Sequence, residues 1–323
     1  MSKKILVTGG SGFLGSRLIP GLVREGHEVF ALVRSASSDE KVRALGAKPV
    51  RGDLEQAEPL SLPVIDAVIH AAARFRFAGP REPYFRANVT GTRVLLEAAE
   101  VSGAKVFVYV SAAGVIMDDR GSPIRNADET ARTFPTSFSG YLASKAQGEA
   151  AALAADKPGF RTIALRPSAM WGPGDPFSRE IPGAIGSGRF AFINRGDYPF
   201  STCHVDNVVE AVRLALDNGI GGRAYFINDR ETTTFRDFIA KLAALQGLSI
   251  EKVRAIPYRP AFTLGRLMEI GAALVRSADD PPLTRSMIRM IGREMTTSDA
   301  AARRDLGYVG KVSRTDGLAA YRV

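Results

Sequence analysis

The chain has 323 residues, 45% of them hydrophobic and 24% charged, with a formal net charge of +9. This composition excludes a disordered chain, a collagen-like repeat and a disulfide scaffold. Its one cysteine, Cys203, rules out an internal disulfide and a thiolate-rich zinc site, and His27, His70 and His204 show no ligand-like spacing. Lys and Arg are scattered among carboxylates rather than clustered with aromatics, so the positive balance suits an anionic small molecule and not a nucleic acid.

The N-terminus carries two lysines and only three apolar residues before a glycine-rich turn, which does not read as a signal peptide. Strands are predicted over 4–8, 28–33, 48–51, 64–70, 105–110 and 161–165. Helices are predicted over 13–24, 86–101 and 139–155. Strands alternating with helices at this spacing predict a parallel sheet covered on both faces, an α/β doubly wound architecture. After Arg166 the run Arg-Pro-Ser-Ala-Met-Trp-Gly-Pro-Gly-Asp-Pro is rich in turn formers and does not read as helix. Helical spacing returns over 205–216, 235–245, 261–275 and 284–291, with one more strand over 224–227. No stretch reaches the roughly 18 uninterrupted apolar residues of a spanning helix. The nearest, 261–275, is cut by Arg266 and Glu269. A cytoplasmic protein with no spanning membrane segment is expected.

The first strand runs into Thr8-Gly-Gly-Ser-Gly-Phe-Leu-Gly15. Glycine permits a tight turn and the close approach of a pyrophosphate to the backbone, and the following helix start presents N–H groups to the anion. Because this loop joins a strand to a helix, it meets the structural context that a dinucleotide-binding loop requires. Gly9, Gly12, Phe13 and Leu14 are its candidate cofactor residues. The second strand ends in Ala31-Leu-Val-Arg34-Ser with no carboxylate before Asp39. Arg34 is therefore placed to meet the 2′-phosphate of NADP, where NAD would call for an acidic residue. Asp53 is placed to accept from an adenine amino group or to cap a helix. The expected division is a dinucleotide-binding domain over 1–166, with 200–230 returning to it, and a substrate lobe over 167–199 and 231–323.

Tyr141 and Lys145 lie one turn apart on one predicted helix face. A free phenol titrates near 10, and a neighbouring cation lowers that value. Such a pair can take a proton from an alcohol, or return one to a carbonyl, while hydride moves at carbon.

With these residues in place, the sequence resembles the extended short-chain dehydrogenase/reductase family, which includes NAD-dependent epimerase/dehydratases and 3β-hydroxysteroid dehydrogenases. The matching motifs are Thr8 to Gly15, Gly-Asp-Leu at 52–54, His-Ala-Ala-Ala at 70–73, Asn88-Val-Thr-Gly-Thr, Tyr141-x-x-x-Lys145, Leu-Arg-Pro at 165–167, Gly-Pro-Gly-Asp at 172–175 and His204-Val-Asp-Asn. The resemblance implies a Rossmann sheet with a smaller, mostly helical C-terminal lobe. It places Leu54 and Ala71, Ala72 and Ala73 along the cofactor cleft and gives Asn88 a part in organising the active site. It also sets Lys145 on the nicotinamide ribose and Pro167 beside the nicotinamide. Family members often form homodimers. The serine or threonine that the family usually places after the fifth strand falls here on Ala112 or Ala113, and the adjacent Ser111 is the candidate replacement.

The expected function is an NAD(P)-dependent oxidoreductase that interconverts a secondary alcohol and a ketone on a small, apolar substrate, with NADP as cofactor and NAD as the alternative. Tyr141, Lys145 and Ser111 are its catalytic candidates. Phe262, Leu264, Leu267, Met268, Ile270 and Leu274 supply either a pocket or packing core. Two other readings stay open. One is a nucleotide-sugar epimerase/dehydratase with bound NAD, whose diphosphate would meet Arg189, Arg195 and Arg223. The other is a non-catalytic dinucleotide-binding protein. Cys203 beside His204 lacks a second basic partner and is not read as a nucleophile.

Overall fold

Why the first half folds as it does follows from which side chains alternate along its strands. A computed structural model describes residues 2–56, 60–275 and 279–322. Seven strands run parallel: β1 (Lys4–Thr8), β2 (Glu28–Val33), β3 (Lys48–Arg51), β4 (Ala67–His70), β5 (Val106–Val110), β6 (Arg161–Pro167) and β7 (Arg223–Ile227). Their spatial order is β3-β2-β1-β4-β5-β6-β7. Side chains alternate between the two faces. Ile5, Val7, Val108 and Leu165 pack with Leu18, Ile19 and Leu22 of helix α1 (Gly15–Arg24). Leu6, Val68, Phe107 and Ala164 face the opposite layer. That second layer is built by α3 (Gly91–Val101) and α4 (Gly140–Ala154) through Leu95, Leu96, Ala99 and Ala152, while α2 (Ala36–Ala44) packs beside β2 and β3. Helix α5 (Val205–Asp217) rejoins the first layer and β7 extends the sheet beside β6.

Three local differences from the sequence expectation have physical causes. Helix α2 carries one buried residue, Val42, so it shows no apolar period; its start is set instead by Ser35, which forms a reciprocal cap with Ser38. The predicted helix 86–101 opens with a π-turn, Arg86–Thr90, before α3. Strand β4 begins at Ala67, because Val64 is 72% exposed and lies outside the sheet.

The C-terminal lobe contains helices Pro176–Gly186, Phe235–Ala244, Tyr258–Leu274 and Arg285–Ile291. Three short parallel pairs stitch it together: Ala169–Trp171 with Thr202–His204, Phe192–Ile193 with Ala255–Ile256, and Ile124–Ala127 with Met295–Thr297. Its core is aromatic, with Trp171, Phe192, Phe200, Phe226, Phe235 and Phe238 buried together. Helix Tyr258–Leu274 buries Tyr258, Ala261 and Gly265 but leaves Leu267 60% and Leu274 80% exposed, so only one of its sides is packing core. No helix among the described residues is long and apolar enough to cross a membrane.

Candidate active site

From β1 the chain works outward to β3, then returns to β4 on the other side of β1. The loops leaving β1 and β4 therefore part, and a crevice opens at the carboxyl end of the sheet. Gly9, Gly12, Phe13 and Leu14 follow β1; Arg34 follows β2; Asp53 and Leu54 follow β3; Ala71, Ala72 and Ala73 follow β4; Ser111 follows β5; Pro167 ends β6. Six neighbouring strands thus bring these predicted residues to one rim.

The glycine loop is shaped as a cradle. Gly9 has φ of +71°, and a β-carbon there would lie 2.8 Å from the Ala72 nitrogen. At Gly15 a β-carbon would lie 2.5 Å from Gly10 Cα and closer still to the Gly9 carbonyl oxygen. Helix α1 has no side-chain cap and no acidic residue in its first turn, so the positive end of its dipole is left uncompensated for an anion. These features fit a dinucleotide. Arg34 is 67% exposed at the side chain, with Nη1 3.3 Å from Glu55 and 3.9 Å from Asp53. Asp53 accepts from the Glu55 backbone N–H at 3.0 Å. Leu54 is 9% exposed and its β-carbon lies against Gly91, so it packs as much as it lines.

At the crevice floor the Thr8 hydroxyl donates to His70 Nδ1 at 2.7 Å and accepts the Ala72 N–H at 3.1 Å. His70 Nε2 lies 3.0 Å from Thr92 Oγ1, whose own proton goes to the Asn88 carbonyl at 2.7 Å. These bonds assign the Nε2–H tautomer. Burial pushes the imidazole down to about 3, so it is neutral.

Asn88 sits in the π-turn, 1% exposed. It accepts the Arg74 N–H at 2.7 Å, and its amide donates to the Arg74 carbonyl at 3.1 Å and to Ser144 Oγ at 2.9 Å. Ser144 in turn donates to the Tyr141 carbonyl at 2.8 Å. One side chain therefore fixes the loop after Ala73 to the helix that carries the phenol. Phe75, on that loop, packs edge-on to the Tyr141 ring with centroids 4.7 Å apart.

Helix α4 starts at a Ser139 cap and carries a partly exposed Tyr141 and a buried Lys145. The Tyr141 hydroxyl has no hydrogen-bond partner among the described residues. Lys145, 2% exposed, donates to the Val110 carbonyl at 2.7 Å and lies 4.1 Å from the centre of the Tyr109 ring. The simple expectation that the cation lowers the phenol does not describe the site without cofactor. Burial pushes Tyr141 up to about 12 and Lys145 down to about 7, the latter opposed by Glu149. Desolvation is the largest cause in both, and the ammonium is held on a carbonyl and a ring face.

The Ser111 hydroxyl donates to Glu149 at 2.6 Å, which uses its single proton. Glu149 also takes two bonds from Arg166, Nη2 at 2.6 Å and Nε at 3.0 Å. Sequence reasoning missed Glu149, Arg166, Ser144 and Phe75. The i,i+4 spacing of Lys145 and Glu149 was the available signal. The arginines proposed for a diphosphate do not converge. Arg195 pairs with Asp197, Arg189 bonds Ser187, and Arg223 begins β7 at the opposite end of the sheet. Cys203 is fully buried and its thiol is pushed well up by burial, which removes it as a nucleophile.

Residues 6–258 match the 3-beta hydroxysteroid dehydrogenase/isomerase family. The chain is 41% identical to a 4-hydroxy-2-methyl-3-oxo-4-farnesyl-3,4-dihydroquinoline-1-oxide ketoreductase of Stigmatella aurantiaca, over 99% of this chain and 96% of that one. It is 34% identical to a 2-alkyl-3-oxoalkanoate reductase of Stenotrophomonas maltophilia, over 98% and 97%. Its fold matches a dTDP-glucose 4,6-dehydratase of Streptomyces venezuelae solved with NAD, with a TM-score of 0.74 and 23% identity over 99% and 97% of the two chains. The chain belongs to the 3-beta hydroxysteroid dehydrogenase/isomerase family, within the extended short-chain dehydrogenases/reductases, and is an NAD(P)-dependent oxidoreductase of alcohols and ketones.

Proposed function

We propose that this enzyme works as an NADPH-dependent ketoreductase on a 3-oxo compound with a large apolar body. The observation that carries this reading is the Tyr141 phenol: its hydroxyl is unpartnered among the described residues, on a helix locked by Asn88 and Ser144. Burial keeps the phenol protonated, which is the state that ketone reduction needs. The 3-oxo substrates named for both relatives agree with the same direction.

Gly9, Gly12, Phe13, Leu14 and Ala71 to Ala73 would hold the dinucleotide, with Asp53 and Leu54 toward the adenosine, Arg34 on a 2′-phosphate, and Asn88, Lys145 and Pro167 toward the nicotinamide side. When bound, this cofactor supplies hydride to carbon. The protein supplies the rest. Tyr141 gives its phenolic proton to the ketone oxygen as that oxygen gains charge, and Lys145 stabilises the phenolate left behind. Asn88 keeps the helix and the 71–75 loop in register through both states. Phe75 closes one side of the phenol with an apolar ring, and the lobe over 167–199 and 231–323 is the substrate side.

The test offers purified protein NADPH with a 2-alkyl-3-oxo acid, a sterol 3-ketone and UDP-glucose. Stoichiometric NADPH oxidation is expected with a ketone and not with the sugar nucleotide. Tyr141→Phe should lower kcat at least about a hundredfold. Reduction that persists in Tyr141→Phe at the original rate would refute the assignment.

A further inference from the structure

Behind the Tyr141–Lys145 pair lies a buried cluster that does not touch the reacting atoms. The Glu149 carboxylate is 2% exposed and accepts three hydrogen bonds: one from Ser111 at 2.6 Å, and two from Arg166 at 2.6 and 3.0 Å. Arg166 is 4% exposed, with its guanidinium 5.2 Å from the centre of the Phe226 ring. One turn earlier on α4, Lys145 holds the Val110 carbonyl. Lys145 and Glu149 thus grip consecutive residues, Val110 and Ser111, at the carboxyl end of β5. The Ser111 N–H is itself bonded to the Leu165 carbonyl of β6 at 2.7 Å, one residue before Arg166.

We propose that Glu149 is the positioning residue of the Tyr141–Lys145 pair: locked between Ser111 and Arg166, its carboxylate pins the end of β5 to α4 and keeps Lys145 an ammonium in a buried site. The charges around Lys145 support this. Tyr141 is on its own helix, the Tyr109 ring lies under it from β5, neutral His70 faces it from β4, and Arg166 of β6 stands on the far side of Glu149 as its ion-pair partner. Glu149 is the one anion in this set. An ammonium away from water needs such a counter-charge to remain protonated, and only a protonated lysine can stabilise a phenolate. Ser111, for its part, acts through Glu149: its hydroxyl orients the carboxylate instead of meeting substrate. The inference rests on the reading of Tyr141 and Lys145 given above, yet it is measurable without turnover.

The experiment follows the 13Cε resonance of Lys145 against pH in the full-length, cofactor-free protein labelled with 13C-lysine, assigned by its loss in Lys145→Met. In Glu149→Gln the Lys145 midpoint should fall by about one pH unit or more. Glu149→Gln leaves Arg166 without its anion, so if the single variant does not fold the case is decided by the double variant Glu149→Gln/Arg166→Met read against Arg166→Met alone, where the midpoint should fall by a similar amount. Ser111→Ala keeps the charge and should move the midpoint far less than Glu149→Gln does. An unchanged Lys145 midpoint in folded Glu149→Gln, or no fall from Arg166→Met to the double variant, would overturn the proposal, and so would a Ser111→Ala shift as large as that of Glu149→Gln. Failure of the ketoreductase reading would appear elsewhere, as Tyr141→Phe activity, and would leave this midpoint where it is.

Discussion

The phosphate cradle allows a sharp test with two substitutions in the same helix. A methyl group at Gly15 would sit 2.5 Å from Gly10 Cα, against backbone that no side-chain rotation can relieve. Carbon atoms rest at about 3.5–4.0 Å, so the loop must shift by about 1 Å. Overpacking of this kind costs about 1–3 kcal/mol, and rigid backbone on both sides puts Gly15→Ala toward the upper end. The same displacement moves the turn that would face the pyrophosphate, and loss of one such contact weakens binding about tenfold or more. Gly21 is the control: it lies in the same helix, and its β-carbon would meet nothing within 4 Å. Gly21→Ala should therefore gain about 0.5–1 kcal/mol from helix propensity alone. The two variants should differ by about 3 kcal/mol, a gap of roughly 6–12 °C in Tm at about 2–4 °C per kcal/mol. Thermal melts and fluorescence titration with NADPH measure both effects. If Gly15→Ala melts and binds like the unmodified protein, the close approach of loop and helix is not what shapes the cradle.

Two further outcomes follow from charges at the crevice. Arg34→Ala should weaken NADP binding about tenfold or more and leave NAD binding unchanged. Because Arg34 is 67% exposed, its ion pair with Glu55 contributes little and Tm should hold; equal NADP and NAD affinities in the unmodified protein would defeat the assignment. His70, ordinarily near 6.5, is held down to about 3 when folded, so below 6.5 the unfolded chain takes up a proton that the folded chain refuses. Its contribution to stability is complete above 6.5 and is lost as pH falls toward 3, at up to about 1.4 kcal/mol per pH unit. Urea titrations at pH 7 and 4.5 should show a larger loss for the unmodified protein than for His70→Asn, and identical losses would refute the buried neutral imidazole.

The sheet was legible because its strands carry their own signature. β1, β2 and β3 begin and end where the sequence places them, and the turn at Gly9 to Gly15 announces itself by composition. Helix α2 was not legible, since a helix with one buried side chain leaves no period; nor were the paired strands of the lobe, which are two to four residues long. The same divide runs through the site. Tyr141 and Lys145 are four residues apart and could be read as a pair. Asn88 joins Ser144 across 56 residues and Ser111 joins Glu149 across 38, contacts that exist only once the helices are laid on the sheet.

That long-range pairing changes which atom serves the substrate. With a hydroxyl absent at Ala112 and Ala113, Ser111 was the natural stand-in by position alone. Its strand-end backbone bond to Leu165 and its proton on Glu149 tie it instead into the interior. Ala113 is 2% exposed and packs in the aromatic cluster that Tyr141 also borders. In the proposed reaction the substrate oxygen is met by the phenol, and one group both binds that oxygen and delivers its proton. A phenol in this position must hold its proton until the ketone arrives and release it as charge builds on the oxygen. Burial enforces the first half, raising Tyr141 to about 12. The second half requires a cation able to stabilise phenolate, and Lys145 is that cation only while a carboxylate stands behind it. On the reading proposed here, Ser111 serves by holding this carboxylate in place.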